Sequence, residues 1–221
     1  MISSSYMTNQ KRFHSKQYVL RNYPDKISKL DLGSGEYPEP GYTHLDIQTG
    51  KDVDILADIR WLPFPDNFIT QEIRAVHVME HFCHPEFSSA AIQKQIGTTT
   101  SVLKEVYRVL SPGARFVMVT PDFEKISQSV AKNRIKLEQL QQWSVGGHRN
   151  IYDVHHWLWT KADAIRWFTK AGFINLEDAN PIRGWRKIRS LNWQDPSRMS
   201  NPSWHETEWY HWLFFVGTKP N

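Results

Sequence analysis

Short apolar runs alternating with amphipathic helical stretches predict an α/β chain, a doubly wound and mostly parallel sheet of seven strands. Three observations carry this. The apolar run through Leu30 and Leu32 breaks abruptly at Gly33-Ser34-Gly35. A second strand-like run, Tyr42 to Ile47, ends on the carboxylate of Asp46. Between later apolar runs, residues 99–110 place Val102, Val106, Val109 and Leu110 on one helical face, with Gly113 where a terminating glycine belongs.

In chain order, residues 8–22 read as a short basic helix stopped by Pro24, a helical extension spanning 1–25. The domain proper spans 26–221. Strands are expected near 28–33, 43–47, 53–57 and 73–78, and again at Phe116 to Val119. One polar helix is expected over 124–142, turning Ile126, Val130, Leu137 and Leu140 inward. A second, Lys161 to Ala171, has Thr160 as its N-cap and Gly172 as its stop. Phe173 to Leu176 and Glu208 to Thr218 close the sheet.

The connection from Gly35 to His44 is short and holds Pro38 and Pro40. Parallel neighbours usually need a crossover of about a dozen residues or more. The helix after the glycine loop is therefore expected to be shortened or absent.

The loop chemistry narrows the ligand. Glycines at 33 and 35 allow a tight turn and close approach to a ligand. Asp46, at the carboxyl end of the adjacent strand, is placed to take ribose hydroxyls. A dinucleotide site wants a third glycine opening a helix whose N-terminus holds pyrophosphate, and Pro38 stands there. Asp31 and Glu36 would repel phosphate and suit S-adenosylmethionine, which carries a sulfonium and an ammonium.

Further motifs follow in order: Ala57-Asp58-Ile59, Leu62-Pro63-Phe64, Glu80-His81, then Arg108-Val-Leu110-Ser-Pro-Gly113 and Pro121-Asp122-Phe123. Together with Leu30-Asp-Leu-Gly-Ser-Gly35 they resemble the class I S-adenosylmethionine-dependent methyltransferases, within them a short-loop subset of the type 11 group. The resemblance covers residues 27–123, and more loosely Thr160 to Phe173. It implies a Rossmann-like sheet whose last strand, Tyr210 to Val216, runs antiparallel. It also implies a cofactor half, 26–123, and an acceptor-recognition half, 124–221. The cofactor residues it implies are Asp31, Gly33, Ser34, Gly35, Asp46, Ile47, Asp58, Ile59 and His77, with Asp58 and Ile59 framing the adenine and Asp31 supporting the loop.

Methyl transfer requires mostly alignment, and a base that removes the acceptor proton adds a further factor. His77, Glu80 and His81 fall just past the fourth strand, with His84 behind them. In a helix, positions i, i+3 and i+4 share one face. Three readings stay open for this cluster: a general base with Glu80 or His81 foremost, a divalent-metal site, or side chains that line the cofactor pocket. Met79-Glu80-His81 resembles ubiquinone-pathway O-methyltransferases, some of which use magnesium. Imidazole is a poor magnesium ligand, and no metal is expected.

A second group, His148, His155 and His156, follows the Gly146-Gly147 pair and reads either as an acceptor lid or as packing ahead of the 161–171 helix. Arg183 and Trp185 open a run with four cations in Arg183–Arg189, which suits a phosphorylated acceptor or a solvated loop. No nucleic-acid fold signature accompanies it, and nucleic acid is not an expected partner. Ten tryptophans are present and only Trp61 lies in the first half, consistent with an aromatic acceptor pocket or an aromatic core.

The 221 residues form a core without staples, and the single cysteine, Cys83, excludes disulfides within the chain. A net charge of +4 permits an anionic acceptor without demanding one. No leader or membrane span is read, so a cytoplasmic, reducing compartment is expected. The expected function is methylation of a hydroxyl, less readily an amine, on a small-molecule or saccharide acceptor. The alternatives are a non-catalytic cofactor-binding module and a nucleic-acid methyltransferase.

Overall fold

A computed structural model describes residues 26–35, 39–179 and 211–221. The expected helix at 8–22, the loop residues Glu36 and Pro38, and Arg183 with Trp185 lie outside the described residues.

Seven strands form one sheet: β1 (Ile27–Leu32), β2 (Thr43–Asp46), β3 (Ile55–Leu56), β4 (Ile69–Val76), β5 (Arg115–Pro121), β6 (Ile174–Asp178) and β7 (Trp212–Thr218). Their order is β3-β2-β1-β4-β5-β7-β6. The first five are mutually parallel, and β7 runs antiparallel to both β5 and β6. This is the expected Rossmann-like α/β sheet. The order reverses beside β1, so the carboxyl ends of β1 and β4 open the switch region where such sheets bind ligands.

Among the described residues five helices accompany it: α1 (Ala90–Ile96), α2 (Thr99–Val109), α3 (Phe123–Ala131), α4 (Leu137–Val145) and α5 (Lys161–Ala171). Helix α2 begins with a capping box between Thr98 and Ser101 and buries Val102, Leu103, Val106 and Val109. Helix α5 begins with the same device between Thr160 and Asp163 and ends at Gly172, whose φ of 101° suits glycine. Together α2 and α5 cover one sheet face, packing on Leu30, Leu32, Ile73, Ala75, Phe116, Met118, Leu213 and Phe215.

Two expectations need correction. Helix α1 did not show in the sequence reading. The single helix expected over 124–142 is two helices, because the chain turns at Asn133 with φ 53°. Asn tolerates that left-handed conformation better than most side chains do.

On the opposite face, alternate residues of β1 and β4 are charged and buried: Asp31, Glu72 and Arg74 are 1%, 1% and 4% exposed. Residues 33–35 and 39–42, the described part of the β1–β2 connection, contain no helix. The segment 39–42 instead lies over this charged row. Arg74 bonds Asp31 Oδ1 at 2.8 Å and Glu39 Oε2 at 2.7 Å. The Glu39 amide reaches Asp31 Oδ2 at 3.3 Å. Tyr42 donates its hydroxyl to Glu72, whose second oxygen takes Arg115 at 2.9 Å. Burial, then the Glu72 charge, drives the Tyr42 phenol far above its ordinary pKa, so it remains a donor. A crossover too short for a helix is thus pinned by ion pairs where helical packing would otherwise hold it.

Breaking a buried pair by removing one partner leaves uncompensated charge. Arg74→Met should therefore cost roughly 3–5 kcal/mol in urea unfolding. A loss below about 1 kcal/mol, the range of exposed pairs, would show that the row does not hold the crossover.

Candidate functional site

The glycine loop opens at the carboxyl end of β1. Gly33 and Gly35 have φ of 63° and 55°, a region that L side chains adopt at a cost. A Cβ on Gly33 would lie 2.5 Å from Cγ2 of Val78, so the loop abuts the chain just past β4. The amides of Gly33 and Ser34 donate to Leu45 O at 2.7 and 3.3 Å. Gly35 N donates to Asp46 Oδ2 at 2.9 Å, while Gln48 N takes Oδ1 at 2.8 Å. Asp46 is 7% exposed, and each carboxylate oxygen keeps further acceptor capacity beyond its one amide.

These bonds decide what the loop can hold. A phosphate cradle needs backbone N–H groups pointing at the ligand. Here all three loop amides are turned inward. The buried Ser34 hydroxyl has no hydrogen-bond partner among the described residues. That leaves an orphaned hydroxyl and an acceptor carboxylate, a set that fits a phosphate-free nucleoside such as S-adenosylmethionine.

The other expected cofactor residues separate. Asp31 lies under the loop, held by Arg74 and by the Glu39 amide. Asp58 follows β3 and is clamped by Arg60, whose Nε reaches Oδ1 and Oδ2 at 3.0 and 2.9 Å. The Arg60 guanidinium also stacks on Trp61. Ile59 is buried in the main core, and Ile47 is half-buried at the end of β2.

Past β4, His77, Glu80 and His81 do not share a helical face. The 3-10 turn spans only Met79–His81, and His77 precedes it with φ 53°, an uncommon conformation for a residue with a side chain. The turn gathers these groups around Glu80, which is fully buried. His77 Nδ1 meets Oε1 at 3.0 Å, and Thr120 at the end of β5 donates to Oε2 at 3.0 Å. Burial opposes ionisation. The His77 hydrogen bond and the charges of His77, His81 and His155 outweigh it and hold the Glu80 carboxyl at about 2. An ionised carboxylate only accepts, so His77 carries its proton on Nδ1. Trp212 packs against this ring nearly perpendicularly, with centroids 4.6 Å apart.

His81 is differently placed. Nδ1 faces Val154 O at 3.0 Å and Nε2 faces His77 O at 3.1 Å, so neither nitrogen presents a lone pair to a ligand in this conformation.

The second histidine group docks on the same carboxylate residue. The amides of His156 and Trp157 donate to the Glu80 carbonyl at 2.8 and 3.2 Å. His155 Nε2 lies 4.0 Å from Glu80 Oε1, and its Nδ1 faces Trp143 O at 2.7 Å. Burial pushes the His155 imidazole below its ordinary pKa, against the pull of Glu80. His156 is lowered too, by burial and then by the His81 charge. His148 stands on an exposed turn that Asp153 closes through the His148 and Arg149 amides. Among the second-half tryptophans, Trp159 and Trp167 are fully buried core.

Sequence reasoning missed Thr120, Trp212, Val78 and Arg60. Thr120 and Trp212 sit in apolar strand runs, where period-two burial hides which side chain reaches the site.

No protein-family model matches the chain, and no curated protein does. Several solved structures are similar to it at low identity. A chain from the complex of the Haloferax volcanii Trm112 methyltransferase activator is 16% identical over 89% of this chain and 84% of that one, with a TM-score of 0.48. Phosphoethanolamine N-methyltransferase 2 of Haemonchus contortus, bound to S-adenosyl-L-methionine, is 14% identical over 98% of this chain and 52% of that one, at 0.45. This chain therefore spans about half the length of the Haemonchus enzyme. A Thermotoga maritima S-adenosylmethionine-dependent methyltransferase is 16% identical over 88% and 82%, at 0.42. Similarity at this level concerns the arrangement of strands and helices, not the ligand or the acceptor. No helix among the described residues is long and apolar enough to cross a membrane.

The contact of Gly33 with Val78 is testable. Gly33→Ala should cost roughly 1–3 kcal/mol through its positive φ and the Val78 clash. Adding Val78→Ala should recover the clash component in chemical denaturation. Equal stability of Gly33→Ala and wild type would show that the loop does not press on this chain.

Proposed function

We propose that this chain is an S-adenosylmethionine-dependent methyltransferase acting on a hydroxyl of a small-molecule or saccharide acceptor. The observation that carries the reading is the meeting of two elements. A glycine loop with inward-turned amides and an acceptor carboxylate at Asp46 abuts, through Val78, a histidine whose Nδ1 is held by an ionised, buried Glu80.

When bound, S-adenosylmethionine supplies an electrophilic methyl group. Asp46 holds the ribose hydroxyls, Ser34 supplies a further polar contact, and Asp58 with Ile59 lies towards the adenine end. His77 receives the acceptor proton at Nε2 while Glu80, itself fixed by Thr120, holds the imidazole in one tautomer. The resulting imidazolium sits beside a carboxylate that remains ionised, which favours the transfer. Glu80, already bonded by His77 and Thr120 on its two oxygens, orients His77 and does not take that proton itself. Trp212 walls one side of His77.

Two measurements test this. Asp46→Ala should weaken S-adenosylhomocysteine binding in isothermal titration by roughly 1–3 kcal/mol. A wild-type chain that binds NADH and not S-adenosylhomocysteine would overturn the reading. His77→Ala should lower turnover by about a hundredfold or more against a hydroxylated acceptor library, with cofactor affinity nearly unchanged. Binding of S-adenosylhomocysteine without any product from that library would favour a non-catalytic module instead.

A further inference from the structure

We infer that Glu80, His81 and His155 form a site for one divalent transition-metal ion of the zinc class. Among the described residues these three side chains each offer one donor atom, all within 4.8 Å of one another. They come from two segments distant in sequence: the turn after β4, and the chain that follows α4.

The ring contacts that would hold such ligands are already made. A metal-ligating imidazole usually donates its other N–H to a carbonyl or carboxylate, which fixes ring and tautomer. His155 does so through Nδ1 to Trp143 O, leaving the Nε2 lone pair directed towards Glu80 Oε1 at 4.0 Å. That gap is too long for a hydrogen bond. His81 has a carbonyl at each nitrogen, Val154 O and His77 O, so ligation requires its ring to turn away from one carbonyl while the other still holds it. Glu80 is itself oriented by His77 and Thr120, one on each oxygen. Four-coordinate zinc with bonds near 2.1 Å sets its donors about 3.4 Å apart, so the side chains need only close by about an ångström.

The donor set also selects the ion. Two imidazoles and one carboxylate suit zinc, cobalt or nickel, whereas magnesium and calcium prefer oxygen throughout. Three protein ligands leave a fourth position for water or an acceptor oxygen. The ion would also clamp the segment around residues 154–157 to the end of β4. None of this depends on methyl transfer, since the site is defined by its ligands and can be read without turnover.

The test uses the full chain stripped with chelator. Zinc chloride titration, with elemental analysis after dialysis, should show one equivalent per chain. Cobalt chloride should give visible ligand-field bands of four-coordinate intensity. His155→Ala and His81→Ala should each weaken zinc binding at least about tenfold, while His148→Ala leaves it unchanged. Retention of S-adenosylhomocysteine binding by His155→Ala would show that this variant is folded. If His155→Ala does not fold, zinc-soaked wild-type crystals supply the answer, with an anomalous peak expected between the three side chains. No retained zinc, wild-type zinc affinity in either alanine variant, or an anomalous peak elsewhere overturns the inference.

Discussion

A carboxylate withdrawn from water at the end of β4 is the constraint on which the site depends. Ionised Glu80 in a dry environment would be prohibitively costly alone, so it persists only because its oxygens are hydrogen-bonded and cationic or polar groups surround it. The groups around it come from three places: His77 from the end of β4 and Thr120 from β5 bond its oxygens, and His155 from the segment after α4 lies 4.0 Å away. Its backbone carbonyl adds the amides of His156 and Trp157. One buried charge thus draws the turn after β4, the end of β5 and the segment after α4 onto a single point. It also fixes His77 through the Nδ1 contact with Oε1.

The second constraint is length. The β1–β2 connection is too short to carry the usual crossover helix, and the sheet surface that such a helix would cover is charged. The two facts are one solution. Arg74, Asp31, Glu39, Glu72 and Tyr42 bind the returning chain through ion pairs and hydrogen bonds, a directional grip that a few residues can provide. Inward-turned amides at Gly33, Ser34 and Gly35 follow from the same tight return, since they secure the loop to Leu45 and Asp46. A loop built in this way gives up phosphate recognition and retains acceptor groups for hydroxyls.

Much of the scaffold was legible because it rests on periodicity and punctuation. The strand–glycine–strand pattern at 28–47, the α2 stripe and the Thr160–Gly172 helix all follow from local spacing. The break at Asn133 was not legible, because no proline or glycine marks it. The site was legible as a neighbourhood and not as a division of labour. Glu80, His77 and His81 are adjacent in sequence, yet a single 3-10 turn gives each a different set of partners. His155 joins them only through a tertiary contact some seventy residues away, which no spacing rule detects. The charged row on β1 and β4 left a faint trace, the alternation of Glu72 and Arg74 with apolar residues.

The measurement that bears most directly on this account is a crystal structure of the full chain with S-adenosylhomocysteine. The account requires the nucleoside across Gly33 to Gly35, its ribose hydroxyls on Asp46, and its thioether on the Val78 side, facing His77. A ligand bound away from the glycine loop, or bound there with the thioether turned from His77, would contradict it.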